Sequence, residues 1–400
     1  MKLPKPTPPI DKEVVKKEYN ALMALLKPVF PSISGFSNAE KYITGLLGPA
    51  ERKNNWQLAA LQGDKTPYAL QQFIYRGKYA ADDLRNILRS YISEKLGEDN
   101  GVLVVNEIGF LKQGKKSCGV KRQYNETTGH VENCQIGVFL TYASTKGHSP
   151  IDRRLYIPSD WIEDNSRCKG AGVPDSVQFK TKPEMALEMI KEATLAHVPY
   201  TWVTGNYTYV DPKDIYLWLE NNEKCYVMGI SGQTQVLKDS EQRTVETILE
   251  SLPSEDWFEA SCSIGSTEMR IYDWVFCDID TSKPGWQRFL LVQRSKTNPS
   301  TICTYICFAP TNTQVKKCIE VVGTRWTVET WLKESKSRVG LDQYEVRSYD
   351  GWYKHITFAC IALTLLTVLS WDALDTLPLR EYDPASKSLD NFKKKCKLRV

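Results

Sequence analysis

Between residues 101 and 222 the hydrophobic period changes in a set order, and that order restricts the fold more than any other feature of the chain. GVLVVNEIGF (101–110) is a strongly apolar run of strand length. KKSCGVKRQYN and ENCQIGVFLTYAS follow, separated by the turn-like ETTGHV, and read with it as a three-strand antiparallel meander. PEMALEMIKEATLA (183–196) has helical spacing, with Pro183 near its first turn. YTWVTGN is a short strand, and DPKDIYLWLENN a helix that Asp211 can cap. Three strands followed by helix, strand and helix predict a mixed sheet covered by helices, an α/β fold.

The flanks differ in texture. Residues 1–98 are read as an all-α N-terminal domain. VVKKEYNALMALLKPVF and DDLRNILRSYISEKLG carry apolar residues at helical spacing, with a stretch broken by Gly48-Pro49 and a helix beginning near Pro67 between them. Short helices joined by polar turns suit a packing bundle, and equally a helix-turn-helix reader of DNA. Residues 99–375 form the core. Within it, about 224–315 is rich in strands (KCYVMGI, EMRIYDWVFCDI, RFLLVQRS, TICTYICFA) and reads as a β insertion. KKCIEVVGTRWTVETWLKESKSRVG is a helix. The uncharged run from Ile356 to Trp371, 16 residues long, reads as a buried core helix, too short for a membrane span. Residues 376–400 are a tail whose segment KSLDNFKKKCKLRV carries six Lys/Arg; it is either solvated or in contact with phosphate.

Lys and Arg number 52 against 48 Asp and Glu, a net charge of +4 that neither demands nor excludes nucleic acid. The eleven cysteines contain no CxxC pair, and the N-terminus has no apolar secretory region. Both point to reduced thiols in a cytoplasmic protein without a membrane span. Four histidines without an HxH or HExxH pattern argue against a histidine-rich metal site.

VLVVNEIGFLKQGKKSCGVKRQYNETTGHVENCQIGVFLTYAS and HSPIDRRLYIPSDW resemble the core of DDE transposases from bacterial insertion sequences. The likeness is to the insertion sequence 701 family within the insertion sequence 4-like superfamily. GVPDSVQFKTKPEMALEMI, WVTGN and RWTVETWLKESKSRVGLDQYEVRSYDGWYKHITFACIAL continue it in order, and ERKNNWQLAALQGDKTPYALQQFI resembles the N-terminal region. The resemblance implies an RNase H-like mixed sheet with a β insertion, preceded by helices that bind DNA. Its reaction is two-metal DNA strand cleavage and strand transfer, with Mg²⁺ or Mn²⁺ held by three carboxylates. The partners implied are double-stranded DNA (transposon ends and target) and a second copy of the chain paired on those ends, in the cytoplasm beside the nucleoid.

The three carboxylate positions map to Asn106, Asn206 and Glu329. Two of the three are therefore amides, and the site loses two negative charges that attract a divalent cation. Glu107 neighbours Asn106 on a strand and should point to the opposite face; Asp211 is five residues past Asn206. The signature Tyr-x2-Arg-x3-Glu-x6-Lys is met by Arg325, Glu329 and Lys336, with Val322 in the Tyr position. By resemblance, Arg325 and Lys336 grip phosphates of the transposon end. Lys112, Lys115, Lys116 and Arg122, with Tyr124, lie on a predicted hairpin beside the site and suit phosphate tracking. Trp257, Trp274 and Trp286 offer base stacking or plain packing, and His355 reads as structural. Three explanations of the asparagines stay open: a catalytically inactive or domesticated DNA-binding derivative, an engineered knock-out, or an active enzyme with displaced ligands.

Overall fold

The computed structural model describes residues 12–209, 214–262 and 271–375. Asp211 and the basic tail fall outside the described residues.

The chain opens with helices α1 (Lys12–Leu26), α2 (Ile33–Leu47), α3 (Asn55–Leu61), α4 (Tyr68–Arg76) and α5 (Ala81–Leu96). Polar caps set their starts: the Ser32 hydroxyl accepts from Gly35 N–H, and the Asn54 side chain accepts from Gln57 N–H. Gly48 ends α2 ahead of Pro49. Strands β1 (Val102–Leu111), β2 (Lys121–Asn125), β3 (His130–Ser144) and β4 (Gly147–Tyr156) follow. Next come α6 (Ser159–Glu163), α7 (Asn165–Gly170), α8 (Lys182–Leu195), β5 (Trp202–Gly205), α9 (Asp214–Asn221) and β6 (Cys225–Ile230). Thr181 and Glu184 form a reciprocal capping box at the start of α8.

Strand β3 runs antiparallel to β1, and β4 antiparallel to β3; β5 is parallel to β1, and β6 parallel to β5. The order β4-β3-β1-β5-β6 is that of an RNase H-like core. The meander has one strand more than the sequence predicts. HSPIDRRLY hides as β4 because its charges are paired inside the protein rather than solvated. Asp152 is fully buried, and Arg85 and Arg89 of α5 and Arg154 bind it at 2.7, 2.9 and 2.9 Å. Glu192 of α8 joins through Arg85 and Arg154.

The remaining elements are β7 (Gln235–Lys238), β8 (Glu241–Thr244), α10 (Val245–Glu250), β9 (Phe258–Ser261), β10 (Ile271–Ile279), β11 (Trp286–Arg294), β12 (Ile302–Pro310), α11 (Val315–Arg338) and α12 (Tyr349–Asp375). The β insertion extends the core sheet: β12 pairs with β6, and β11, β10 and β9 follow antiparallel. Strand β6, which begins at Cys225, is thus shared, being the fifth core strand and the attachment point of the insertion.

By length and composition α12 is apolar enough to cross a membrane. Its apolar side chains are instead buried against β4 and the helices α1, α2, α4 and α5. His355, on α12, accepts from Tyr42 Oη at 2.8 Å through Nδ1 and faces Gly340 O at 3.1 Å through Nε2. Burial pushes its imidazole down to about 3, so it is a neutral structural group.

Candidate active site

The parallel pairing of β1 with β5 has an offset of one hundred residues: Val102 faces Trp202 and Val104 faces Thr204. Two residues beyond that last pair stand Asn106, in the middle of β1, and Asn206, immediately after β5. Helix α11 packs across β1 and β5 and brings Glu329 over them. Asn106, Asn206 and Glu329 all line one cavity of about 220 Å³, together with Glu107, Glu126 and Lys333.

The amides are not equivalent. Asn206 is 8% exposed, and its Oδ1 accepts from the backbone N–H of Thr208 at 3.0 Å. That bond fixes the flip, because a backbone N–H needs an acceptor. Nδ2 is consequently the atom left over, and it donates to Glu126 Oε1. An aspartate in this place could satisfy Thr208 with one oxygen and present the other. Asn106 is 6% exposed, and its Oδ1 is buried without a hydrogen-bond partner.

Sequence reasoning misses Glu126. It sits in the turn between β2 and β3, held by a local network. Asn125 Oδ1 accepts from Thr127 N–H at 3.1 Å, and Asn125 Nδ2 donates to Glu132 Oε2 at 2.8 Å. The turn lies against β1 because Gly109 has no Cβ; one there would collide with the Asn125 amide. Burial, then the carboxylates of Glu107 and Glu329, push the Glu126 carboxyl up to about 7, opposed by Asn206 and Arg325. The folded chain then holds a proton that the unfolded chain, at about 4.5, has released. Stability due to this group falls as pH rises from about 4.5 to 7. We expect Glu126→Gln to stabilise the protein by about 1–3 kcal/mol at pH 8 and by nothing at pH 4. Denaturant melts at the two pH values check this; equal effects at both would refute it.

Glu107 has Lys182 of α8 at 2.6 Å. Arg325 is buried, pairs with Glu329 at 3.4 Å and lies 5.8 Å from the centre of the Tyr305 ring. Val322, in the Tyr position of the signature, is fully buried in the core. Lys336 donates to Gly109 O at 2.8 Å, and burial holds its ammonium below the usual lysine range. Lys112 lies 3.6 Å from the centre of the Tyr344 ring, and burial brings it down to about 8. Lys115, Lys116, Arg122 and Tyr124 are exposed. Of the three tryptophans, Trp274 is fully buried, Trp286 stacks on Phe308 at 4.6 Å, and Trp257 carries Arg294 at 3.9 Å, so all three pack.

The donor set fits two divalent cations poorly. Position 206 turns an N–H donor toward Glu126, position 106 is a neutral amide whose oxygen is buried, and Lys333 adds positive charge. Among the described residues no three His, Cys, Asp or Glu side chains are grouped as metal ligands.

The family model described as DDE superfamily endonuclease matches residues 28–247, more than half of the chain, including positions 106 and 206. The chain is 23% identical over 333 residues to the probable transposase for insertion sequence element IS701 of Microchaete diplosiphon, covering 81% of this chain and 80% of that protein. The NurA nuclease of Sulfolobus solfataricus aligns over 61% of this chain and 82% of its own at 7% identity, with a TM-score of 0.25.

Proposed function

Since this chain belongs to the DDE superfamily endonucleases, we propose that it binds the ends of an insertion sequence as duplex DNA while its strand cleavage and transfer are impaired. The observation that carries the reading is the amide of Asn206: Thr208 N–H takes its oxygen, and a donor points where the family presents a carboxylate. Divalent cations, when bound in this family, activate the attacking oxygen and stabilise the leaving one. The residues here keep the frame for that chemistry and lack two of its charges. Arg325 holds Glu329, and Lys336 ties α11 to β1 at Gly109. Phosphate contact then falls to the exposed Lys115, Lys116 and Arg122, which need no metal. The N-terminal helices supply base readout, and two copies pair the ends. This favours a DNA-binding transposase derivative over an active enzyme.

The test is duplex retention with EDTA present. Binding should weaken steeply between low and moderate salt through counterion release. Replacing Lys115, Lys116 and Arg122 together by Ala should lower affinity on the order of tenfold or more on all sequences alike. The salt slope should flatten by up to about 0.9 for each phosphate that is no longer neutralised. No retention at low salt, or retention indifferent to salt, refutes the reading.

A further inference from the structure

We infer that α4 is the helix through which the chain reads base pairs, with Gln72 and Arg76 setting its sequence preference, and that Arg347 holds a phosphate of the same duplex beside it. This rests on the DNA-binding reading above, and it assigns to named side chains a preference which that reading gives to the N-terminal helices as a group.

Helix α4 hides Leu70, Phe73 and Ile74 and turns its other side outward. Tyr68, Tyr75 and Arg76 are exposed there, and Gln72 is half-buried. Residues 68, 72 and 76 follow one another at i, i+4 spacing and form one row along the helix, with Tyr75 beside it. No acidic residue lies in α4, whereas α5 opens on the exposed Asp82 and Asp83. Among the described residues, the side chains of Gln72 and Arg76 have no hydrogen-bond or ion-pair partner. In the major groove an amide matches the edge of adenine and a guanidinium that of guanine. A helix of nine residues, about 13 Å long, fits into that groove.

The face is fastened to the core at two points. Tyr75 Oη accepts from Arg347 N–H at 3.3 Å, and Arg347 O accepts from Cys118 N–H at 2.9 Å. Cys118 belongs to the β1–β2 loop that carries Lys115 and Lys116, and Arg167 steadies this loop by donating to Lys115 O at 3.2 Å. At the end of α4, Gly77 O accepts from the buried Lys354 of α12 at 2.7 Å. A Cβ at Gly77 would collide with Phe73 O, so glycine is needed for this close turn. The outer face of α4, Arg347 and the Lys115–Lys116 loop are thereby held as one surface. Arg76, Lys78, Lys115, Lys116 and Arg347 are exposed on it, and among the described residues none of them is in an ion pair. Glu345, an exposed acid near Arg347, is engaged by Asn54 at 3.3 Å. Unpaired cations around an uncharged row of hydrogen-bonding groups complement the phosphates that flank a groove.

The experiment offers the full chain, in EDTA, a pool of random-sequence duplexes, and then measures Kd on the selected duplex and on a scrambled one. The unaltered chain should prefer the selected duplex by about tenfold or more. Gln72→Ala combined with Arg76→Lys keeps the charge and loses the paired donors. It should remove about tenfold of the preference while changing affinity for the scrambled duplex by less than about twofold. Arg347→Ala should weaken both duplexes alike and flatten the salt slope by about 0.9, with the selected sequence unchanged. Matching thermal melts separate these effects from loss of folding. The inference is overturned by an intact preference in the α4 variant, or by an Arg347→Ala change that is silent or depends on sequence. Retention of duplex without any preference by the unaltered chain overturns base reading by α4 and leaves the DNA-binding reading standing. No retention by the unaltered chain overturns both.

Discussion

Restoring aspartate at positions 106 and 206 together should produce Mg²⁺-dependent nicking of duplex DNA, on the order of 10³-fold above the unaltered chain; at 1.36 kcal/mol per tenfold this asks about 4 kcal/mol of the two charges. The frame is already in place, since β1 and β5 run parallel up to these positions and Asn106, Asn206 and Glu329 of α11 line one cavity. An Asp at 206 keeps the Thr208 N–H satisfied with one oxygen and releases the other to the cavity. Either single restoration should give far less than half of the effect in logarithmic terms, because groups that act as a unit are not additive. Supercoiled plasmid bearing cognate ends, incubated with Mg²⁺, reports the nicks, and adding Glu329→Gln to the restored chain should abolish them. Nicking that survives Glu329→Gln, or an unaltered chain that cuts as fast as the restored one, sinks the assignment.

The second large effect lies away from the cavity. Asp152→Ala should cost about 3–5 kcal/mol, because it removes the buried carboxylate that Arg85, Arg89, Arg153 and Arg154 share and leaves the four guanidiniums only the partly exposed Glu192 and Asp82. Burial alone would raise the Asp152 carboxyl; the four guanidiniums, Arg154 foremost, hold it below the usual carboxylate range. With the folded value depressed, its contribution is present above the unfolded value near 3.8 and is lost as pH falls through the folded one. Guanidinium titration at neutral pH measures the loss, and a change under about 1 kcal/mol would mean that the cluster relaxes freely.

What could be read in the chain and what could not divide along physical lines. Asn106, Asn206 and Glu329 were picked out by the family resemblance rather than by any local period; they line one cavity, and the one-hundred-residue offset reappears as the β1–β5 register. Strand β4 was hidden because Asp152 and Arg153 look solvated until α5 supplies their partners. Glu126 was invisible for a related reason. NETTG reads as any polar turn, and only the missing Cβ of Gly109, distant in sequence, lets it fold inward. Lys112 and Lys336 read as phosphate grips, but their long stems carry the ammonium groups to Tyr344 and to Gly109 O. The strands of 224–315 stood out as short apolar and aromatic runs, whereas the pairing of β12 with β6 is a long-range choice that no local pattern encodes.

The ion cluster around Asp152 also bears on how such proteins recombine in evolution. Arg85 and Arg89 belong to the helical region, and their counter-charges belong to the sheet and α8. A crossover near residue 98 that brought in a foreign helical module would leave Asp152 and Glu192 facing side chains chosen for another protein. Exchange of the helical region as a unit therefore costs the buried pairing of Asp152, whereas point changes on the outer faces of its helices leave that pairing intact.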